Sequence, residues 1–461
     1  MMPFDPWRSC DVAADVMAVS QAGSSGLEAR RARRLSALLE AAVRGSVLYG
    51  RLLKGRNLSG LALQQLPIMH KSELMGRFDE WVTDPELRLA ALRQFTTDPA
   101  RIGEPFLGRY VVWASSGSSG EPGIFVQDAA AMAVYDALEA LRRPALRPWQ
   151  RMLDPWGVRE RIAFVGATGG HFASTVSVER LRRLNTALSE TLHSVSFLRP
   201  IHKLVTELEA LAPTILATYP SAAMLLAEER LAGRLRIDLQ EVWTGGETLT
   251  PAMRSFIQRA FGCKVANSYG ASEFLSLASE CTCGNLHLNS DWAILESVDE
   301  RGRPVPVGEA GATALLTNLA NHVQPLIRYD IGDRITLQAL PCACGSMLPV
   351  IGVEGRTDDT LRLGMPGSPT VCVLPLAVTT VLEDDAGLFD FQLVQEGPCD
   401  LLLRTGMRGP AAILVMRRAQ RALSAFLGDQ GAAGVHIRCR TGEPGQRGGS
   451  GKTARVVALA S

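Results

Sequence analysis

An α/β fold is what this sequence predicts: a large N-terminal α/β layered domain with a β-rich subdomain, and a small C-terminal α+β domain. Three observations carry the prediction. From about residue 110 to 285, short β-branched or aromatic runs alternate with Ala/Leu/Arg segments at helical spacing, the pattern of a largely parallel sheet between helices. After about residue 285 the helical segments give way to runs such as "NLHLNSDWAILESV" and "PLIRYDIGDRITLQAL", strands joined by Gly/Pro turns in a smaller subdomain or barrel. Beyond a charged, glycine-rich stretch at 355–368, which reads as a linker, the remaining residues form a compact unit of about 100 residues, a usual domain size.

Taken in order, residues 27–54 place leucines and valines among arginines at helical spacing and predict one amphipathic helix. The runs 161–170, 214–220, 239–247 and 263–270 predict strands, with helices at 203–212, 221–233 and 250–261 between them. The tail predicts strands at "FDFQLVQ", "DLLLRT" and "GVHIRC", a helix over 410–427, then a glycine-rich loop with one lysine before a last strand. The boundaries fall at 1–355 and 356–461.

Bulk properties narrow the function classes. A formal net charge of +1 over 461 residues gives no footprint for nucleic acid or a membrane surface. No run approaches the roughly 18 apolar residues of a membrane span. The N-terminus has neither signal-peptide nor transit-peptide character, and the expected location is cytoplasmic. Nine cysteines, an odd number in a long chain, argue against a disulfide framework. Lysines number five (Lys54, Lys71, Lys203, Lys264, Lys452) among many arginines, so each stands out.

Behind the apolar run Tyr110–Trp113 comes "ASSGSSGEPGIF", 114–125. Glycine lets backbone N–H groups approach an anion closely, and serine hydroxyls add donors. A flexible surface loop is the competing reading, and the Walker pattern is absent because Glu121 follows Gly120 with no lysine nearby. "TGGE" (244–247) and "SYGASE" (268–273) each put small residues and a carboxylate just after a strand, where open α/β sheets bind ligands. Tyr269 could stack on a base, Glu273 could hold Mg2+ through hard oxygen ligands, and Asp333 in "RYDIGD" could accept hydroxyl hydrogen bonds. Each alone also reads as an ordinary turn. "ECTCGNLH" and "PCACGS" offer Cys281, Cys283, His287, Cys342 and Cys344, a set that suits structural Zn2+ although Cys-x-Cys is tighter than the usual spacing. Buried small hydrophobes are the alternative.

Together and in this order these segments resemble the adenylate-forming superfamily of acyl-CoA synthetases, adenylation domains and luciferases, on its phenylacetate-CoA ligase branch. "SSGSSGEPG" looks like the branch's phosphate loop, "GGE" and "YGASE" like its adenine-site segments, and "PLIRYDIGD" like its ribose segment. "GRTDD" looks like its hinge and "GKTARV" like its lysine tail, and "LPIMHKSEL" resembles its N-terminal region. The resemblance implies that Ser115, Ser116, Gly117, Ser118, Ser119 and Gly120 cradle the ATP β- and γ-phosphates. Gly245, Gly246 and Glu247 would line the adenine pocket with Tyr269 and Gly270. Ser272 would touch the α-phosphate and Glu273 the magnesium, while Asp333 and Arg356 would hold the ribose. Asp358 would be the hinge of a mobile C-terminal domain, and Lys452 would bridge the substrate carboxylate and the α-phosphate. His171, Gly170 and Tyr219 would border the carboxylate pocket.

The implied reaction joins a carboxylate, aromatic in this branch, to AMP and then to a thiol, coenzyme A first. Transfer to an acyl carrier protein or an amine is the close alternative, and a zinc-stabilised binding protein the distant one. A second copy of the chain is a further candidate partner. Members of the branch also carry a metal on a Cys-x5-His pair and a later Cys-x-Cys, which selects Cys281, His287, Cys342 and Cys344 for zinc and leaves Cys283 as a spare or substitute. Glu121 stands where the branch carries lysine, a negative charge beside the phosphate loop.

Overall fold

A computed structural model describes residues 4–19, 23–58, 60–115, 122–143, 146–147, 160–354, 360–364, 370–445 and 454–458. Twenty strands can be followed among these residues. The first two are β1 (Val111–Ala114) and β2 (Ile124–Gln127), an antiparallel hairpin. The parallel core comprises β3 (Ile162–Gly166), β4 (Leu192–Ser196), β5 (Ile215–Thr218) and β6 (Glu241–Thr244). Then follow β7 (Lys264–Ala271), β8 (Phe274–Glu280) and β9 (Leu286–Leu288). A three-stranded sheet holds β10 (Ala293–Val298), β11 (Thr313–Asn318) and β12 (Tyr329–Asp330), and the large domain ends with β13 (Arg334–Leu337) and β14 (Val350–Glu354).

The largest sheet runs β13-β14-β9-β8-β7-β6-β5-β3-β4. Its β4-to-β7 half is parallel and its β7-to-β13 half antiparallel. The switch follows from the connections. Helices Pro220–Leu231 and Pro251–Phe261 cross over between parallel neighbours, whereas a tight turn joins β7 to β8. Of the two forms expected after 285, a β-rich subdomain or a barrel, the described strands take the first: β9, β13 and β14 extend the main sheet, and β10–β12 form a three-stranded sheet.

Helix formation obeys local chemistry. Pro220 and Pro251 open their helices at N1, and Gly262 ends the second in the left-handed region, φ 66°. The single helix expected over 27–54 is two, Gly23–Gly45 and Val47–Leu52, because Ser46 leaves the helical conformation and caps the second through Tyr49 N–H.

The small unit has a hydrophobic core of its own, from Leu361 to Val456. Its strands are β15 (Leu361–Leu363), β16 (Val371–Val373), β17 (Gln392–Gly397), β18 (Asp400–Thr405), β19 (His436–Thr441) and β20 (Val456–Val457), with helix Pro410–Asp429 packed on them. The stretch 355–368 is thus more than a linker: Leu361 and Leu363 are buried and pair with Val373 and Val371. No helix among the described residues is long and apolar enough to cross a membrane.

Candidate active site

A cleft of about 2180 Å3 opens at the carboxyl ends of the parallel strands, and the segments that carry chemistry line it. Ser115 stands at its edge just beyond β1. Ser115 N–H donates to Gly123 carbonyl (2.8 Å) and Gly123 N–H to Ser115 Oγ (2.9 Å), closing the neck of the Gly/Ser loop. Ser116, Gly117, Ser118, Ser119 and Gly120, with Glu121, lie outside the described residues, as do Arg356, Asp358 and Lys452.

The residues after β7 form the middle of the cleft. Gly270 is required there, because a Cβ would stand 1.9 Å from Leu275 carbonyl across the β7–β8 turn. That close approach turns Ser272 and Glu273 toward the cleft. The Trp113 indole N–H donates to Ser272 carbonyl (2.8 Å) and Asn318 Nδ2 to Glu273 carbonyl (2.9 Å), so both backbone oxygens are held from below.

Glu273 is the central carboxylate. It accepts the Tyr329 hydroxyl at 2.9 Å. Burial pushes its carboxyl above the usual carboxylate range, against the Tyr329 hydrogen bond and the nearby Lys71 charge. Burial and the same carboxylate push the Tyr329 hydroxyl up strongly, so it stays a donor. Asp333 accepts the Tyr269 hydroxyl at 2.9 Å, and burial with the Asp333 charge raises Tyr269 likewise. The turn that presents Asp333 is tied by Asp330, whose Oδ1 accepts Gly332 N–H (2.9 Å) and Thr313 hydroxyl (2.5 Å).

Sequence reasoning missed Lys71 and Tyr329, although both stand in quoted segments and Lys71 is one of five lysines. Their meeting depends on Arg328, a buried residue in the left-handed region at φ 49°. Its guanidinium bonds Glu296 (3.0 Å) and Leu66 carbonyl (2.6 Å), its N–H donates to Thr317 Oγ1, and its carbonyl accepts Met69 N–H. These contacts lay the segment before Lys71 beside Tyr329. Also unforeseen are Asn321 and Gln324. Gln324 accepts Val126 N–H and donates to Ile124 carbonyl, and Asn321 donates to Val126 carbonyl, clamping β2 behind the Gly/Ser loop.

Gly245 and Gly246 line the wall beside these carboxylates. A Cβ on Gly245 would meet Ser268 Oγ at 2.9 Å, and Gly246 adopts φ 79° against the Tyr219 ring. Glu247 accepts Ser221 N–H and Ser221 hydroxyl, both at 2.9 Å, and so caps helix Pro220–Leu231 from outside it. Tyr219 lines the cleft, its ring edge-on to Phe197. The expectation for His171 is corrected. It is 4% exposed, its Nε2 lies 2.9 Å from Asp98 carbonyl, and its ring packs on Phe95. Phe172 lines the cleft instead, and Gly170 meets Asp384 of the small unit, 3.3 Å from where a Cβ would stand.

A second cluster lies apart from the main charges of the cleft. The ligand atoms of Cys281, His287, Cys342 and Cys344 all fall within 4.8 Å of one another. Cys281 Sγ is 3.7 Å from Cys342 Sγ, and His287 Nε2 is 3.3 Å from Cys344 Sγ. His287 Nδ1 bonds Leu348 carbonyl at 2.7 Å, which aims Nε2 at the thiols. Cys283 is exposed and is not one of the four, although its thiol faces Cys342.

Comparison with known proteins agrees with this layout. The model of the AMP-binding enzyme family matches residues 190–313. The phenylacetate-coenzyme A ligase of Thermus thermophilus is 29% identical over 261 residues, 54% of this chain and 55% of that protein. Its namesake from Escherichia coli is 27% identical over 267 residues, 54% and 56% respectively. The chain thus spans about half the length of the curated relatives it matches. A 2-hydroxyisobutyryl-CoA ligase structure superposes with a TM-score of 0.57 at 19% identity, covering 94% of this chain and 90% of that one, which establishes the shared fold.

Proposed function

We propose that this chain is an AMP-binding enzyme close to the phenylacetate-CoA ligase branch, which activates a carboxylic acid with ATP and passes the acyl group to coenzyme A. The observation that carries the reading is the convergence of Ser115, Gly245, Glu247, Tyr269, Glu273 and Asp333, distant in sequence, around one cleft at the sheet's carboxyl edge. The substrate carboxylate attacks the α-phosphorus, an acyl-adenylate forms and pyrophosphate leaves. The thiol then attacks the acyl carbon and AMP leaves.

Two anions must approach, so charge neutralisation is the main lever. Glu273 fits a hard cation: its carboxylate is buried in the cleft and oriented by Tyr329. Bound there, Mg2+ would neutralise phosphate charge. Asp333, oriented by Tyr269, suits the ribose hydroxyls, with Arg356 beside it in this reading. Ser116, Gly117, Ser118, Ser119, Gly120 and Ser272 serve the phosphates, Lys452 the α-phosphate and the carboxylate, and Asp358 the hinge. The thiol–imidazole set of Cys281, His287, Cys342 and Cys344 suits structural Zn2+, tying β9 to the loop before β14. Reduced thiols of this kind accord with a cytoplasmic location.

The test is carboxylate-dependent pyrophosphate release from ATP and Mg2+ across benzoates, phenylacetates, their hydroxy and amino derivatives, and aliphatic acids, with and without CoA. Release that CoA sustains supports the ligase. Release indifferent to CoA points to a carrier-protein thiol or an amine as acceptor. No release from any acid, together with no ATP binding, overturns the reading.

A further inference from the structure

We infer, on the adenylation reading above, that Arg455 is a positioning residue for adenylate formation, holding the terminal strand against the cleft through its ion pair with Glu383. Arg455 Nη1 lies 2.6 Å from Glu383 Oε1, with the two side chains 6% and 2% exposed. Its guanidinium also stacks on Phe391, 4.1 Å from the ring centroid, and Nη2 donates to Phe389 carbonyl at 2.9 Å. Both Arg455 and Glu383 border the cleft.

The backbone around Arg455 needs such an anchor. Its strand, β20, is two residues long, and among the described residues it pairs with β17 through Val456 and Val457. Leu393 N–H donates to Arg455 carbonyl and Gln392 Nε2 to Ala454 carbonyl, both at 2.7 Å. So short a ladder holds little by itself; Val456 adds a buried apolar contact in the small core, and Lys452 precedes Arg455 by only three positions in the sequence.

Glu383 comes from a π-helical turn, Val381–Asp385, and such turns recur at functional sites. The next residue, Asp384, meets Gly170 of the large domain. One turn therefore touches the large domain and holds the tail. An apolar pair of equal volume would stabilise a core as well as a buried ion pair does, so the pair's contribution is geometric.

The experiment separates the half-reactions. Arg455→Met, Arg455→Lys and the double variant Glu383→Gln/Arg455→Met are compared with wild type and Lys452→Ala. Pyrophosphate release is read with the fastest acid of the panel, phenylacetate tried first. Thioester formation is read from the matching synthetic acyl-adenylate and CoA. Arg455→Met and the double variant should lose adenylation about 100-fold, as misplacement by an ångström does, while thioester formation stays within threefold. Arg455→Lys should recover part of the lost adenylation.

Equal loss of both half-reactions overturns the inference, as does full adenylation in the double variant. Failure of all three variants to fold does so too, because the pair then belongs to general stability. If wild type releases no pyrophosphate with any acid, the functional reading itself has failed. If Lys452→Ala abolishes pyrophosphate release but spares thioester formation, while the Arg455 variants do not separate the steps, only this inference has failed.

Discussion

At Glu273 and Asp333 a pair of tyrosines determines how two carboxylates present themselves. Tyr329 donates from a buried position and Tyr269 from a half-buried one, and their raised hydroxyls keep the proton at every working pH. Glu273→Gln keeps the side-chain shape and removes the charge. It should lower pyrophosphate release on the order of 10²–10³, and an unchanged rate would remove Glu273 from the cation site. Gly270→Ala places a methyl where Leu275 carbonyl stands and should cost about 3 kcal/mol in urea unfolding.

Asp384 gives a pH signature. Partial burial and then repulsion from Glu383 and Asp385 push its carboxyl up to about 6. A carboxyl raised on folding adds stability below its ordinary value near 3.9 and loses it as pH rises through about 6. Asp384→Asn should therefore match wild type at pH 4 and melt higher above pH 6. Because this partly shielded side chain still reaches solvent, screening keeps the gain near 1 kcal/mol or below. A difference independent of pH would exclude this origin.

Among the elements, the thiol–imidazole cluster and the Asn321/Gln324 clamp do similar work on different strands. Each replaces ladder hydrogen bonds by side-chain ties where the sheet is short. The clamp holds β2, whose partner β1 leads into the Gly/Ser loop. The cluster joins the β8–β9 turn to the loop before β14, which pairs with β9 only at His287 and Leu286. Purified protein should carry one zinc per chain by mass spectrometry. Cys344→Ser should lose it and melt several degrees lower. Cys283→Ser should change neither metal content nor melting, and loss of zinc in that variant would redraw the ligand set.

For the whole molecule, the central question is how the small unit sits on the large one. Beyond Asp384 and Gly170, Arg362 pairs with Glu228 at 2.6 Å, Gln430 Nε2 donates to Leu198 carbonyl at 2.6 Å, and Leu374, Ala377 and Phe426 of the small unit pack into the apolar core of the large one. This arrangement turns Arg455 and Glu383 to the cleft. The hinge that the family resemblance implies at Asp358 would let the small unit rotate away from it for thioester formation. Glu228→Cys/Arg362→Cys in a Cys372→Ser background, bridged by a short bis-maleimide, should retain adenylation and lose at least tenfold in thioester formation. Equal retention of both steps would exclude the rotation.

Chain-local properties were legible in the sequence because their causes are local. Alternating strand and helix periods disclosed the α/β core, and Gly245, Gly270, Glu273 and Asp333 stood out as small or charged residues at strand ends. The paired Cys-x-Cys motifs and His287 pointed to one cluster. What only the tertiary structure decided involved partners far apart in the chain. Glu247 became a helix cap because Ser221 folds beside it, and His171 turned toward Asp98 and Phe95, away from the cleft. Lys71 and Tyr329 met at Glu273 through Arg328, some 250 residues from Lys71. Arg455 found Glu383 across the small core. Hydrophobic period and turn chemistry act over a few residues, whereas the direction of a buried polar side chain depends on which distant donor or acceptor the packed fold brings to it.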